Sequence, residues 1–209
     1  MWVLTIVVSV VAYLFGSIPT GYFAGRLAGV DIRKQGSGNI GATNVLRALG
    51  KRWGFAVFFL DALKGFVAVR TALFLVSRAQ GASDYSEFYA ILAAAVCVLG
   101  HSFPVWLRFK GGKGVATSAG AIFGVTPIAA AAIFLIWLLV FATTRYVSVA
   151  SVTAAIALPA VVAVLVYLGR TQGVVLLYFS MAMTAMVVWR HRSNFARLRA
   201  GTEQRFTRK

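Results

Sequence analysis

"WVLTIVVSVVAYLFGSIPTGYF", residues 2–23, is a run of about twenty mostly apolar residues with no charge in it. At roughly 1.5 Å per residue, a helix of that length crosses a ~30 Å hydrocarbon core. This run decides how the next segment is read. "QGSGNIGATNVLR", residues 35–47, contains the pattern G-x-G-x-x-G at Gly36, Gly38 and Gly41. In a dinucleotide-binding fold that pattern follows a strand inside a soluble βαβ unit. Behind a membrane-length run it loses that meaning, and what survives is a glycine-dense backbone whose N–H groups could hold an anion. The opening run has no basic residues before it and is longer than a secretory apolar segment, so it is expected to be a retained helix and not a cleaved signal.

Composition agrees. The chain has 209 residues, 60% hydrophobic and 12% charged, with mean hydropathy +0.82, and a soluble domain carries about twice that charge. An all-α integral membrane protein is expected, as one domain over residues 1–209. The net charge of +16 would point to nucleic acid in a soluble protein. In a membrane protein basic residues mark cytoplasmic loops, so no nucleic-acid partner is expected. Cys97 is the only cysteine, which excludes an internal disulfide and a cysteine metal cluster. No metal and no cofactor are expected.

Working outward, apolar runs lie near residues 2–24, 54–77, 87–107, 114–142, 146–168 and 172–189. The first connection carries Arg26, Arg33, Lys34, Arg47, Lys51 and Arg52, the third Arg108, Lys110 and Lys113, and the tail Arg190, Arg192, Arg197, Arg199, Arg205, Arg208 and Lys209. The positive-inside rule makes all three cytoplasmic and turns the stretch around Asp84 outward. An even number of crossings must then separate the third connection from the tail. Run 114–142 is long for one span and is interrupted at "GVTP", residues 124–127, where glycine and proline disfavour continuous helix. Splitting it there predicts seven transmembrane helices, with the N-terminus outside and the C-terminus cytoplasmic. The element after the "KGGKG" loop is then short, or part of a broken helix lining a cavity.

Three polar, glycine-rich segments share the cytoplasmic face. In the first, residues 36–52, Ser37, Asn39, Thr43, Asn44 and Arg47 offer donors, and the glycines let a ligand approach the backbone. A plain helix-capping loop is the alternative. In the second, residues 100–120, Lys110 and Lys113 flank Gly111 and Gly112, and Thr117 follows one turn after Lys113, which suits a phosphate at a helix N-terminus. It is no Walker A loop, because Gly114 follows Lys113 where Ser or Thr is required after the Gly–Lys pair. In the third, residues 190–203, His191, Asn194 and Arg197 recur every three residues on one rough helix face. A solvated basic flank drawn to anionic lipid explains the arginines but not His191 or Asn194. Asp61 and Lys64, three apart within an apolar run, read as a structural ion pair, and Ser148 and Ser151 lie one turn apart in "RYVSVAS". Anion-suited loops on one face of an apolar bundle fit a substrate with phosphate in water and an apolar part in lipid. A transporter of a phosphorylated metabolite is the competing reading, but it predicts mid-membrane polarity and repeat symmetry, neither of which dominates here.

At these residues the chain resembles the bacterial acyl-phosphate:glycerol-3-phosphate acyltransferases, the PlsY family. "GSGNIGATNVLRALG", "DALKG", "GHSFPVWLRFKGGKGVAT", "RYVSVAS" and "RHRSNFARLRAGTE" occur in the family's order and spacing. The resemblance implies a seven-helix bundle that moves a fatty acyl group from acyl phosphate to the 1-hydroxyl of glycerol 3-phosphate, giving lysophosphatidic acid and phosphate. It implies a multi-pass protein of the bacterial inner membrane, a cytoplasm-facing active site, and a functional link to the soluble enzyme that makes acyl phosphate. The H-x-x-x-x-D signature of CoA-dependent glycerolipid acyltransferases is absent, since the fifth residue after His101 is Trp106 and after His191 is Ala196. Acyl phosphate is a mixed anhydride with a good leaving group, so positioning and charge stabilisation suffice without a covalent intermediate. Residue chemistry and the family pattern together assign Ser37, Gly38, Asn39, Thr43 and Asn44 to one phosphate, with Arg47 supplying charge. Lys113 and the Gly111, Gly112 and Gly114 backbone take a second, with Lys110, Thr117 and His101 as further binding residues. Ser151, His191 and Asn194 complete the polar set, and Arg197 joins the binding residues. Ser37, Lys113, His191 and Asn194 are the expected catalytic residues.

Overall fold

The computed structural model describes residues 1–171 and 173–206. Arg208 and Lys209, counted above with the basic tail, lie outside the described residues. The described chain is helical throughout and forms two compact units, Met1–Val125 and Thr126–Lys209.

The first unit contains α1 (Trp2–Ser17), α2 (Thr20–Leu27), α3 (Ala42–Leu49), α4 (Lys51–Arg78), α5 (Ser86–Ser102) and α6 (Val115–Val125). The opening apolar run, read above as one helix, is two helices with an interruption at Ile18 and Pro19. Proline has no N–H and pushes the preceding residue into an extended conformation, and Ile18 sits at φ −59°, ψ 112°. Polar backbone freed in an apolar layer needs partners. Lys64 Nζ donates to the Ile18 carbonyl at 2.8 Å, and Thr20 Oγ1 donates to Asp61 Oδ1 at 2.6 Å. The Asp61–Lys64 pair expected from the sequence is present at 2.8 Å, and it ties down this break.

Small residues let the helices of this unit approach closely. A Cβ on Gly120 of α6 would overlap the Ala62 carbonyl of α4, and one on Gly16 of α1 would overlap the Cys97 carbonyl of α5. Val8, Ala12, Ala68, Ala72, Val76, Tyr89, Ala93 and Cys97 form a buried apolar cluster of α1, α4 and α5. A second cluster, Ala24, Ile32, Ile40, Val45, Val57 and Leu107, lies beneath the first glycine-rich loop.

The second unit contains α7 (Pro127–Thr144), α8 (Val147–Tyr167), α9 (Val174–Arg190) and α10 (Arg192–Arg199). The split expected at residues 124–127 is present: α6 ends at Val125, Thr126 is extended, and Pro127 opens α7 at a position where its missing N–H has no consequence. At eleven residues α6 is about 16 Å long, well short of a bilayer core. Pro159 lies inside α8 and cannot donate to the Ala155 carbonyl four residues back, and Thr184 Oγ1 of α9 donates to it at 2.5 Å.

The protein is an all-helical integral membrane protein. Trp2–Leu27, Ser83–Leu107, α7 and α8 are long and apolar enough to cross a bilayer, and α9 with α10, bent by 50°, makes a fifth if the pair is one span.

Candidate active site

Asn44, at the start of α3, organises the first loop. It is buried, and its Oδ1 accepts the Ser37 N–H at 2.9 Å. Its Nδ2 donates to the carbonyls of Asn39, Gln35 and Ile32 at 2.8, 3.0 and 3.3 Å. Asn39 Oδ1 in turn accepts the Gly41 N–H at 2.7 Å. Gly36 and Gly38 adopt φ +53° and +70°, the left-handed region where a side chain is strained. Ser37, Gly38, Asn39 and Asn44 are therefore brought together in one loop at the N-terminus of α3, with Asn44 bonded to its wall and Thr43 in the first turn of the helix. Ser37 and Arg47 are exposed.

The second loop folds back onto the end of α5. Gly112 N–H donates to the His101 carbonyl at 3.1 Å and Gly111 N–H to the Ser102 carbonyl at 3.2 Å. Gly114, at φ +82°, turns the chain into α6, whose Ser118 N–H donates to the Gly114 carbonyl at 2.7 Å. The hydroxyls of Ser102, Thr117 and Ser118 are buried without a hydrogen-bond partner. A Cβ on Gly114 would lie 3.4 Å from Ser102 Oγ and 3.9 Å from Ser118 Oγ, so both hydroxyls flank this glycine. Buried hydroxyls normally find partners, and those without one at a helix N-terminus fit an acceptor-rich ligand. Lys113 is half-buried, Lys110 is exposed, and Thr117 and His101 are buried.

In the second unit, Glu203 gathers three side chains. Ser148 Oγ and Asn194 Nδ2 donate to Oε1 at 2.8 and 2.7 Å, and Arg197 Nε donates to Oε2 at 2.7 Å. Burial pushes this carboxyl's pKa up, but hydrogen bonds from Asn194, Ser148 and Arg197, with the arginine's charge, hold it below the usual carboxylate range. The sequence reading did not single out Glu203. Its signal was that it is one of only five acidic residues in a chain with 21 basic ones, set among arginines. Asn194 and Arg197 are thus brought together by a shared carboxylate. Ser151 and His191 have other partners: Ser151 Oγ accepts from Trp137 Nε1 at 3.2 Å, and His191 Nδ1 lies 2.8 Å from the Val187 carbonyl. A carbonyl only accepts, so Nδ1 carries a proton, and in the neutral ring Nε2 holds the lone pair.

Comparison with known proteins follows the same residues. The family model for glycerol-3-phosphate acyltransferase matches residues 6–201. A glycerol-3-phosphate acyltransferase of Aquifex aeolicus is 46% identical over 195 residues, covering 93% of this chain and 95% of that protein. One from Thermus thermophilus is 50% identical over 196 residues, covering 93% and 91%. The crystal structure of PlsY (YgiH), an integral membrane glycerol 3-phosphate acyltransferase, in its glycerol 3-phosphate form superposes with TM-score 0.84 at 43% identity, covering 97% of this chain and 96% of that one. Its lysophosphatidic acid form gives 0.82 at 43% identity, covering 97% and 95%. With the match running through both glycine-rich loops and the His191–Arg197 segment, the chain belongs to the PlsY family of glycerol-3-phosphate acyltransferases.

Proposed function

We propose that this chain transfers a fatty acyl group from acyl phosphate to the 1-hydroxyl of sn-glycerol 3-phosphate, forming lysophosphatidic acid and inorganic phosphate. The observation that carries the reading in this chain is the second loop, where a left-handed Gly114, next to Lys113 in the chain, is flanked by the buried hydroxyls of Ser102 and Ser118 at the start of α6. Unpaired hydroxyl donors beside a lysine at a helix N-terminus support a phosphate there. Family relatives bearing the name glycerol-3-phosphate acyltransferase support the acceptor, and the glycerol 3-phosphate and lysophosphatidic acid forms of PlsY support the acceptor and the product.

In the reaction, the acceptor hydroxyl oxygen bonds to the acyl carbonyl carbon, the carbon–oxygen bond to phosphate breaks, and phosphate leaves with the electron pair. The hydroxyl proton goes to the leaving phosphate, so no side chain has to ionise. In this scheme the first cradle, Ser37 to Asn44 with Arg47, holds one phosphate. Lys113, with Lys110 and Thr117, holds the other and stabilises charge as the phosphate departs, while the Gly111 and Gly112 N–H groups, expected from the sequence to bind it, are spent on the Ser102 and His101 carbonyls and shape the loop. Ser151, His191, Asn194 and Arg197 are assigned to binding and orientation in the same reaction, with Glu203 fixing Asn194 and Arg197. Charge-assisted bonds of this kind contribute about 1.5–3 kcal/mol each. The scheme needs no metal or cofactor. The proposal includes seven crossings, an outside N-terminus, a cytoplasmic active face and residence in the bacterial inner membrane. The positive-inside distribution supports that topology. A soluble enzyme that makes acyl phosphate supplies the donor.

Purified protein incubated with labelled glycerol 3-phosphate and, separately, palmitoyl phosphate, palmitoyl-CoA or palmitoyl acyl carrier protein tests the donor. Lysophosphatidic acid from acyl phosphate alone, lost in Lys113→Ala, is the expected result, and product only from a thioester overturns it. His191→Ala separates the proton routes. An unchanged pH profile with weakened binding supports the phosphate as acceptor, and loss of a titration near neutral pH makes the imidazole the base.

A further inference from the structure

Asp61 and Lys64 sit in the apolar length of α4, and both are almost completely buried, at 2% and 6% exposure. Taking such a pair out of water costs several kcal/mol per ion, and well-packed apolar residues often replace it without loss. Tying down the break at Ile18 and Pro19 is one use of the pair, through the Lys64 bond to the Ile18 carbonyl and the Thr20 bond to Asp61. A third group points to a second use. His101, 4% exposed, places Nδ1 3.5 Å from Asp61 Oδ1, the same oxygen that accepts from Thr20 and Lys64. The opposite edge of the ring faces the glycine loop, for a Cβ on Gly112 would overlap His101 Nε2. The His101 backbone carries the loop as well, through its carbonyl bond to Gly112 N–H. Gly112 has no left-handed φ, so its lack of a side chain is a matter of space above the imidazole and not of backbone conformation.

We propose that Asp61 and His101 form a positioning pair for the glycine loop: the carboxylate fixes the imidazole, and the imidazole sets where the Gly111–Gly112 backbone lies and so how Lys113 is presented. His101 then acts from beneath the loop, in place of the direct ligand contact suggested by the sequence, and Lys64 neutralises the carboxylate that orients it. The proposal rests on the reading that this loop holds a substrate phosphate.

Initial rates against both substrates in purified His101→Ala, His101→Asn, Gly112→Ala and His101→Ala/Gly112→Ala, each checked for thermal unfolding, test it. Misplacing a binding group by about 1 Å costs on the order of 10²-fold. His101→Ala and Gly112→Ala are each expected to lose about that much in kcat/KM. The loss falls on the KM of the phosphate substrate held by the loop, with the KM of the other substrate unmoved. The double variant is expected to be no worse than either single, because the new Cβ occupies the space the ring has left. His101→Asn keeps an N–H toward Asp61 and is expected to recover most of the activity. Losses that multiply in the double, or a fall in kcat with both KM values unmoved, overturn the positioning role. Should His101→Ala not fold, His101→Asn/Gly112→Ala makes the same comparison. Full activity in Lys113→Ala overturns the phosphate reading of the loop instead, so the two failures are distinct.

Discussion

Replacing Glu203 by glutamine changes one atom and reverses one hydrogen-bond polarity. Two donors, Ser148 Oγ and Asn194 Nδ2, share Oε1, and Arg197 Nε uses Oε2. The amide keeps a single acceptor oxygen. If that oxygen stays with Ser148 and Asn194, the new NH2 faces the Arg197 N–H, and if it turns, it faces two donors. At least one charge-assisted bond is lost, about 1.5–3 kcal/mol. The Arg197 side chain is 34% exposed and rehydrates in part, which favours the lower half of that range, about 2 kcal/mol. For a chain of this length that corresponds to a fall in Tm of about 4–8 °C. Glu203→Ala removes every acceptor and costs more, about 3–5 kcal/mol. Thermal unfolding of detergent-solubilised protein at neutral pH, followed by tryptophan fluorescence, measures both. Because the folded pKa of Glu203 is held below its unfolded value, about 4.3, its contribution is complete above that pH and is lost as pH falls through the folded pKa. The gap between the native chain and Glu203→Gln should therefore close in acid. A Glu203→Gln protein melting within a degree of the native chain at neutral pH, or a gap that widens in acid, refutes the account.

Asn44→Asp keeps an acceptor for Ser37 N–H but turns an oxygen toward the carbonyls of Ile32, Gln35 and Asn39, each of which loses a donor at about 1–3 kcal/mol where buried. Lysophosphatidic acid formation should fall at least about tenfold, since 1.4 kcal/mol already gives that factor, and native rates would show that the cradle does not depend on this amide. Gly120→Val places a side chain against the Ala62 backbone and forces α4 and α6 apart at about 1–3 kcal/mol. A Tm lowered by several degrees is expected, and an unchanged Tm would mean that the two helices have room to spare.

The first loop illustrates how far the site could be read before folding. The glycines of residues 36–41 marked a left-handed turn, which Gly36 and Gly38 make, because that conformation is a local requirement written in residue type. That Asn44 braces the loop instead of merely lining it depends on where the Ile32 and Gln35 carbonyls come to lie, twelve and nine residues upstream. The i, i+3 pairing of Asp61 with Lys64 was legible from helix geometry. The approach of His101, forty residues later in the chain, was not. Glu203 escaped notice for the same reason, with Ser148 lying 55 positions away. Pro19 is the opposite case: its signal was local and plain, yet the apolarity around it favoured one continuous helix over the break that α1 and α2 make.

Membrane class, helical content, the split before Pro127 and the places of the glycine-rich loops followed from residue order, since hydropathy, proline and glycine act within a turn or two of where they stand. Which carboxylate holds which donor came from the packing. Asp61, buried against His101 and Thr20, and Glu203, against Ser148, Asn194 and Arg197, acquire their partners when helices distant in sequence meet. Away from water such charges persist only where their hydrogen bonds are supplied.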